Sequence, residues 1–398
     1  MKLINQSAQY LPQQAGIDGI YKQIELAGRT SYLSWDKMTD DSAKKFVDML
    51  IKSRHFSVLE HGAVYLKIPF ISDSYGKSWW RKIVDHDKLP SPFQEFNIIN
   101  ESSIKASKYY HNKYSKCHIE STYKRCSPIT TKRTYVDENK SLSYDESDDY
   151  KYDDDGIYFE HIAYITTNFR VIIENNWLDD LKYICEPTEF HEKRLSMKVI
   201  TDIGVTREFN RHRTFSIVEQ STRYCNFSKD KFGNELTFII PNWLDIPEGS
   251  AYWHDGICFR VGASDENLMM GISVMPANFD DAEAISCYLH SLDSCNRAYM
   301  RLLKAWENKK EDKRFRTGFK NNPLTPQQAR QVLPLCTKTE VVYTAFESDW
   351  REWFAQRLFG KTGEPHPQIK QLAELIKQEF EKVGVWEGIM KYPSKYET

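Results

Sequence analysis

Residues 211–224 read RHRTFSIVEQSTRY and hold the side chains best suited to chemistry: Arg211, His212 and Arg213 in a row, seven mostly uncharged residues, then Ser221, Thr222 and Arg223. A guanidinium offers a planar fork of N–H donors that matches two oxygens at once, so arginines beside hydroxyls recognise anions, phosphates above all. Three readings fit the stretch. It is a solvated basic patch with Ser221 near a turn, or a nucleic-acid contact, or an enzyme site for a nucleotide in which Arg211, Arg213 and Arg223 hold phosphate and Ser221 adds a donor. In the last reading Glu219, four residues before Arg223, would orient that arginine if the segment were helical. A serine nucleophile fits less well, because His212 lies nine residues from Ser221 with no evident acidic partner to orient it.

The bulk composition narrows these readings. The chain has 398 residues, 40% hydrophobic and 28% charged, enough to bury a sizeable core. Its formal net charge is only -2. No global field would hold it on a nucleic acid or an acidic membrane, and a free nucleotide suits a local cluster better than a duplex does. No run approaches the roughly 18 apolar residues of a membrane span, and MKLINQSAQYLPQQ lacks the pattern of a signal peptide. A cytoplasmic protein is expected. Eight cysteines without a C-x-x-C pair indicate neither a metal site nor a disulfide framework, and buried reduced thiols are expected.

The elements that must position the cluster follow from periodicity. TDDSAKKFVDMLI (39–51) starts with Thr and Asp capping candidates and has Phe46, Val47, Leu50 and Ile51 at helical spacing. A loop, SRHFSVLEH, leads to AVYLKIPF (63–70), which alternates as a strand. ITTNFRVIIENN and MKVITDIGVTREF read as strand-to-helix segments. Residues 136–156 are acidic with few aliphatics and read as a surface excursion; a calcium loop would need carboxylates in a register that is absent. Residues 279–306 read as a long helix with Ile285, Leu289, Leu292, Ala298 and Leu302 on one face. In PLTPQQARQVLP, Pro326 suits the first turn of a short helix and Pro334 stops it. TEVVYTAF is strand-like, WREWFAQRLF helical, and HPQIKQLAELIKQEF an amphipathic helix.

Arg-His-Arg, seven residues, Ser and then Arg-Tyr resembles the signature of the flavin-dependent thymidylate synthases. Three further stretches resemble the same family in the same order: AGRTSY at 27–32, HFSVLEH at 55–61, and ARQVLP at 329–334 with Arg357, His366 and Gln368 after it. The resemblance implies an α+β fold, with a mixed or antiparallel sheet and packed helices, and a homotetramer whose active sites are shared between subunits. It implies FAD as cofactor, NADPH and methylenetetrahydrofolate as co-substrates, and dUMP as the small-molecule substrate methylated to dTMP, with no nucleic acid or membrane partner.

By the same resemblance, Arg211, His212 and Arg213 lie against the flavin with Ser57, Glu60 and His55, and Glu219, Glu352 and His366 join the flavin-contacting set. The deoxyuridylate site takes Glu208, Arg211, Glu219, Gln220, Ser221, Thr222, Arg223 and Arg330. Arg357 touches the pyrimidine and helps ionise it; with Ser221 and His55 it makes up the catalytic group. No cysteine nucleophile is required. The chain departs from the family at Phe346, Glu347 and Ser348, where Asn-x-Arg is usual, at Glu352 for an asparagine, at Glu208 for a glutamine and at Val218 for an asparagine. These departures leave open a related methylase or hydroxymethylase of another pyrimidine nucleotide; a non-catalytic nucleotide-binding relative is the other alternative.

The chain is also longer than the family core. One elaborated domain is expected, with its core at about 1–69, 190–245 and 280–390, an insertion at about 70–189 and a second at about 246–279. SWWRKIVDHD, near the start of the first insertion, is expected to pack on the core through its two tryptophans.

Overall fold

Strand-forming and helix-forming runs alternate along the chain in the computed structural model, which describes residues 1–73, 97–98, 101–125, 157–254, 258–263, 272–273, 279–307 and 326–396. The first run comprises β1 (Lys2–Ile4), β2 (Ser7–Leu11), α1 (Gly16–Thr30), α2 (Ser42–Lys52) and a 3-10 turn over Phe56–His61. Then come β3 (Ala63–Asp73), β4 (Asn97–Ile98), α3 (Glu101–Tyr110), β5 (Lys116–Arg125), β6 (Ile157–Asn168) and α4 (Phe169–Glu174). The third run holds β7 (Arg194–Asp202), α5 (Ile203–Phe209), β8 (Ser216–Glu219), β9 (Thr237–Ile239), β10 (Gly249–His254), β11 (Cys258–Ala263) and β12 (Ile272–Ser273). The last holds α6 (Phe279–Glu307), α7 (Pro326–Ala329), β13 (Lys338–Phe346), α8 (Glu347–Arg357), α9 (Pro367–Lys382) and α10 (Trp386–Met390). The class is α+β, as expected.

Two compact units result: Met1–Gly62 with Lys193–Thr398, and Ala63–Glu192. The second unit is built on an antiparallel sheet in the order β4-β3-β6-β5. Its longest ladder pairs β3 with β6 from Ala63↔Asn168 to Asp73↔Tyr158. The strand expected at 63–70 thus runs three residues farther. Asn168 ends β6 and starts α4, its side chain accepting from the Val171 N–H at 3.1 Å, the side-chain cap that satisfies an orphan donor at a helix start. Residues 136–156 and SWWRKIVDHD lie outside the described residues.

The first unit holds two sheets. One is antiparallel in the order β2-β7-β13-β8; the other, β12-β11-β10-β1-β9, is mixed, because β1 runs parallel to β9. The antiparallel sheet packs on α5, α8, α9 and α10 through an aromatic cluster in which Phe209 stacks on Tyr343 at 3.6 Å and on Trp353 at 4.5 Å. The mixed sheet packs on α6. Close approach of α1 and α2 depends on Gly28, where a Cβ would lie 2.6 Å from the Phe46 ring.

Three details differ from expectation. The start of α2 is organised by Ser42, whose hydroxyl bonds both the N–H and the carbonyl of Thr39, while Asp41 makes no cap; a serine-threonine turn has taken the place of a side-chain cap. The buried face of α6 continues from Leu292 to Tyr299 and Leu303, leaving Ala298 and Leu302 half-buried. Steps of three and four residues from Ile285 lead to those positions, and the larger tyrosine ring takes the core site. Among the described cysteines only Cys225 is buried.

Phe209 is fully enclosed between Tyr343 and Trp353. Phe209→Ala is expected to lower unfolding free energy by about 3–5 kcal/mol through lost transfer energy and the cavity left behind. Chemical denaturation of the two proteins measures it.

Candidate functional site

The Arg211–Arg213 turn is held between two buried phenylalanines, Phe209 and Phe215. Asp202, at the end of β7, accepts from the Val205 N–H at 2.7 Å and starts α5; α5 ends at Phe209, and Phe215 enters the same aromatic cluster. Between them the chain turns tightly, with the His212 N–H donating to the Phe209 carbonyl at 3.0 Å. Arg211 and Arg213 are exposed on this turn and His212 is half-buried. The chain then enters β8, which pairs with β13 from Val341↔Glu219 to Thr344↔Ser216. Past the strand, the Gln220 N–H donates to the Glu340 carbonyl at 2.7 Å and the Ser221 N–H to the Ser31 carbonyl at 2.9 Å. AGRTSY and the arginine-rich stretch, 190 residues apart in sequence at this bond, are therefore in contact.

Two distant arginines reach the same stretch. Arg330, in the 3-10 turn after α7, donates from Nη1 to the Thr222 hydroxyl at 3.2 Å. Arg357, the last residue of α8, donates from Nε to His212 Nε2 at 3.3 Å, from Nη1 to the Glu208 carboxylate at 3.2 Å, and from Nη2 to the Glu208 carbonyl at 3.4 Å. Glu208 thus sits beside a cation, which offsets the repulsion its charge would offer an anionic ligand.

The surroundings set the protonation states. Burial, with the cations Arg357, Lys395 and Arg211 around it, lowers the His212 pKa to about 4. The ring is neutral at pH 7 and its Nε2 is an acceptor. Burial also lowers the Arg357 pKa, Glu208 opposing the shift and Arg211 adding to it. Glu219 is pushed up by burial despite accepting from the Thr206 and Thr339 hydroxyls, each at 3.1 Å. It does not orient Arg223 as a helical segment would require: the segment is a strand followed by a turn, so the two residues do not share a helical face. Arg223 instead lies over the Tyr224 ring, 5.3 Å from its centroid.

The remaining expected residues divide. Glu60 is tied in through its carbonyl, which accepts from Arg194 at 3.3 Å while the same Arg194 Nη2 donates to Ser216 of β8 at 2.9 Å. His55 and Ser57 are exposed at the start of the same 3-10 turn. Glu352 accepts from the Lys395 N–H at 2.7 Å, and Lys395 adds its charge around His212. His366 caps α9, accepting from the Gln368 N–H at 3.2 Å, and packs its ring edge on Trp243. Neither His55 nor His366 makes a described hydrogen bond to residues 211–224.

Sequence reasoning passed over a buried polar group beneath the site. His61 Nδ1 bonds the Thr344 hydroxyl at 2.8 Å, and Thr344 bonds Ser196 at 2.7 Å. His61 Nε2 is buried with no hydrogen-bond partner among the described residues, and burial with the nearby Arg194 lowers its pKa to about 3. The available signal was the second histidine of HFSVLEH.

The chain is matched over residues 174–384 by the family model described as thymidylate synthase complementing protein. That is more than half its length. The chain belongs to this family, the flavin-dependent thymidylate synthases, and is a methylase of that class. Two solved structures are similar to it: the UMP/dUMP methylase PolB from Streptomyces cacaoi bound with 5-Br dUMP, at 13% identity over 98% of this chain and 97% of that one, TM-score 0.35; and the same methylase bound with 5-Br UMP, at 18% identity over 50% and 72%, TM-score 0.32. Neither superposition is close, and membership rests on the family match. No curated protein matches the chain. No helix among the described residues is long and apolar enough to cross a membrane.

The donor set suits a flavin dinucleotide on one side. Arg211 and Arg213 are exposed cations next to a neutral imidazole, the charge and geometry a diphosphate calls for. Around Glu352 the chemistry is opposite: one carboxylate oxygen takes the Lys395 N–H and the other is buried without a hydrogen-bond partner among the described residues, so that side offers no phosphate donor from this residue.

His212 and His61 are both held neutral well below their ordinary pKa of 6.5. The unfolded chain therefore takes up protons that the folded chain refuses, and stability present above about pH 6.5 falls as pH drops toward 4 and 3. His212→Gln is expected to flatten the upper part of that loss, between pH 6.5 and about 4, in a series of denaturant titrations; an unchanged slope would contradict the assignment.

Proposed function

We propose that this chain converts dUMP to dTMP in the cytoplasm, taking the one-carbon unit from methylenetetrahydrofolate and reducing equivalents from NADPH through FAD. The carrying observation is the convergence of Arg330 and Arg357, remote in sequence, on Thr222 and on Glu208 and His212. Arg223, Arg330, Ser221 and Thr222 would grip the phosphate; Arg211, His212 and Arg213 with Ser57 and Glu60 would hold the flavin, and His366 and Glu352 line its far side. Glu219 and Gln220 would close the nucleotide site beside Ser221, and His55 would join Ser221 and Arg357 in the catalytic group.

Carbon 5 of uracil becomes nucleophilic when negative charge spreads through the ring. A guanidinium at the polar edge of the ring stabilises that charge as it develops, and Arg357 would supply it. Phosphate held by Arg330 and Arg223 fixes the ring and turns an encounter into a positioned reaction. Bound FAD, once reduced, supplies the hydride that completes the methyl group. In this reading the sites are shared among four copies of the chain, and the stretches at about 70–189 and about 246–279 are elaborations of a core formed by the rest.

A second reading, a methylase or hydroxymethylase of another pyrimidine nucleotide, is favoured by Glu208, a carboxylate where the family usually has a neutral amide. The deciding assay supplies the purified protein with dUMP, methylenetetrahydrofolate, NADPH and FAD and weighs the nucleotide product. Gain of one methyl group supports the main reading; gain of a hydroxymethyl group, or turnover only of another pyrimidine nucleotide, supports the second. The holoprotein should be yellow, and Arg357→Ala should lower kcat by roughly 10²–10³ while the colour stays. Colourless protein that binds nucleotide and consumes no NADPH would defeat both readings.

A further inference from the structure

The Arg357 guanidinium does not hang free at the end of α8. Of the five N–H donors a guanidinium carries, one on Nε goes to His212 Nε2, one on Nη1 to the Glu208 carboxylate and one on Nη2 to the Glu208 carbonyl. Three acceptors around one planar group fix both its plane and its rotation in that plane. We propose that Glu208 and His212 are positioning residues that grip Arg357 from three sides and leave one N–H on each Nη nitrogen to meet two neighbouring acceptor atoms of a pyrimidine edge. The inference rests on the reading of Arg357 as the arginine that faces the base.

Each component of the grip has a physical reason. A long side chain loses rotamer freedom when it binds, and one already fixed loses less at the moment of binding. His212 serves only as a neutral ring with its proton on Nδ1, because an Nε2 that carried a proton could not accept from Arg357. The charges around it, Arg357, Arg211 and Lys395, all favour the neutral form. Glu208 supplies two of the three acceptors, its carbonyl from the C-terminal turn of α5 and its carboxylate from the half-exposed side chain. A carboxylate forms the charge-assisted and stronger bond, while an amide at the same place could still accept through its oxygen. The departure from the family at this position therefore keeps the acceptor and adds a charge. That charge is spent on Arg357 rather than aimed at the nucleotide.

The test is a double-mutant cycle on the FAD-loaded enzyme with dUMP, using Glu208→Ala, Arg357→Ala and the combined variant, with Glu208→Gln as the conservative control. The grip predicts that Glu208→Ala lowers kcat by about 100-fold with KM nearly unchanged, since a misplaced group near the reacting ring costs about that much. Glu208→Gln should recover activity to within about tenfold of wild type, and the combined variant should fall no further than Arg357→Ala alone. Multiplicative losses would mean that Glu208 acts independently of Arg357. Tighter dUMP binding and a higher kcat/KM in Glu208→Ala would make it a repelling group. Either result overturns the proposal. A readout independent of turnover is the ¹⁵N spectrum of the His212 imidazole, which should show the Nδ1–H form with Nε2 accepting in wild type and lose the Nε2 signature of an acceptor in Arg357→Ala. Wild-type protein that modifies no pyrimidine would defeat the functional reading, while this spectrum would still decide the grip; an unchanged spectrum in Arg357→Ala would end it.

Discussion

β13 is the strand on which the candidate site depends. It lies in the middle of the antiparallel sheet, bonded along its length to β7 and over its centre to β8. From Thr339 to Phe346 every residue is buried, so its backbone donors and acceptors have no water and must be satisfied by neighbouring strands. Arg330 lies just before it, and Arg357 ends the helix just after it. β8, the outer partner, carries the chain from the Arg211–Arg213 turn to Ser221. One ladder thus ties together three stretches of chain that supply arginines, and a slip of one residue would turn Glu219 and the arginine turn to the wrong face.

Much of this framework was legible in the residues. TEVVYTAF is a near-continuous apolar and β-branched run, which is what a strand flanked on both sides requires. MKVITDIGVTREF was legible as a strand-to-helix segment, and the structure adds that Asp202 makes the change by accepting from the Val205 N–H at 2.7 Å. The site was legible as a list of positions, chiefly through the resemblance of four stretches to one family. Its internal wiring was not. Glu219 of β8 bonds the hydroxyls of Thr206 on α5 and of Thr339 on β13, and no spacing within 211–224 encodes a partner 120 residues away. Nor does local sequence distinguish Ala298 from Tyr299 as the buried residue of α6, where tertiary packing chooses between adjacent positions.

The charge pattern is local in the same way. A formal net charge of -2 gives the molecule little long-range pull on an anion. The site instead arranges exposed Arg211, Arg213, Arg223 and Arg330 around a half-buried Arg357 whose charge is met by Glu208. Exposed arginines are screened and mobile and suit capture of a phosphate; a half-buried, bonded arginine is oriented and suits the reacting edge. On the proposed reading, the different burial of these arginines divides the labour between holding a ligand and acting on it.

The thiols point toward the same chemistry. Methylation at carbon 5 of a pyrimidine can start from attack of a cysteine thiolate on the ring, which needs a thiol of lowered pKa in an electropositive, accessible place. Cys225 follows the arginine-rich stretch directly, but it is buried, directs its sulfur at the Ser31 carbonyl at 3.8 Å, and has its pKa raised by burial. Burial likewise raises Cys117 to about 12 and Cys336 to about 11, and pushes Cys185 and Cys295 upward. None of these five sulfurs is poised as a thiolate at neutral pH. On the proposed reading, a site whose arginines meet the polar edge of the pyrimidine and whose neighbouring thiol stays protonated would activate that ring by charge stabilisation rather than by covalent addition.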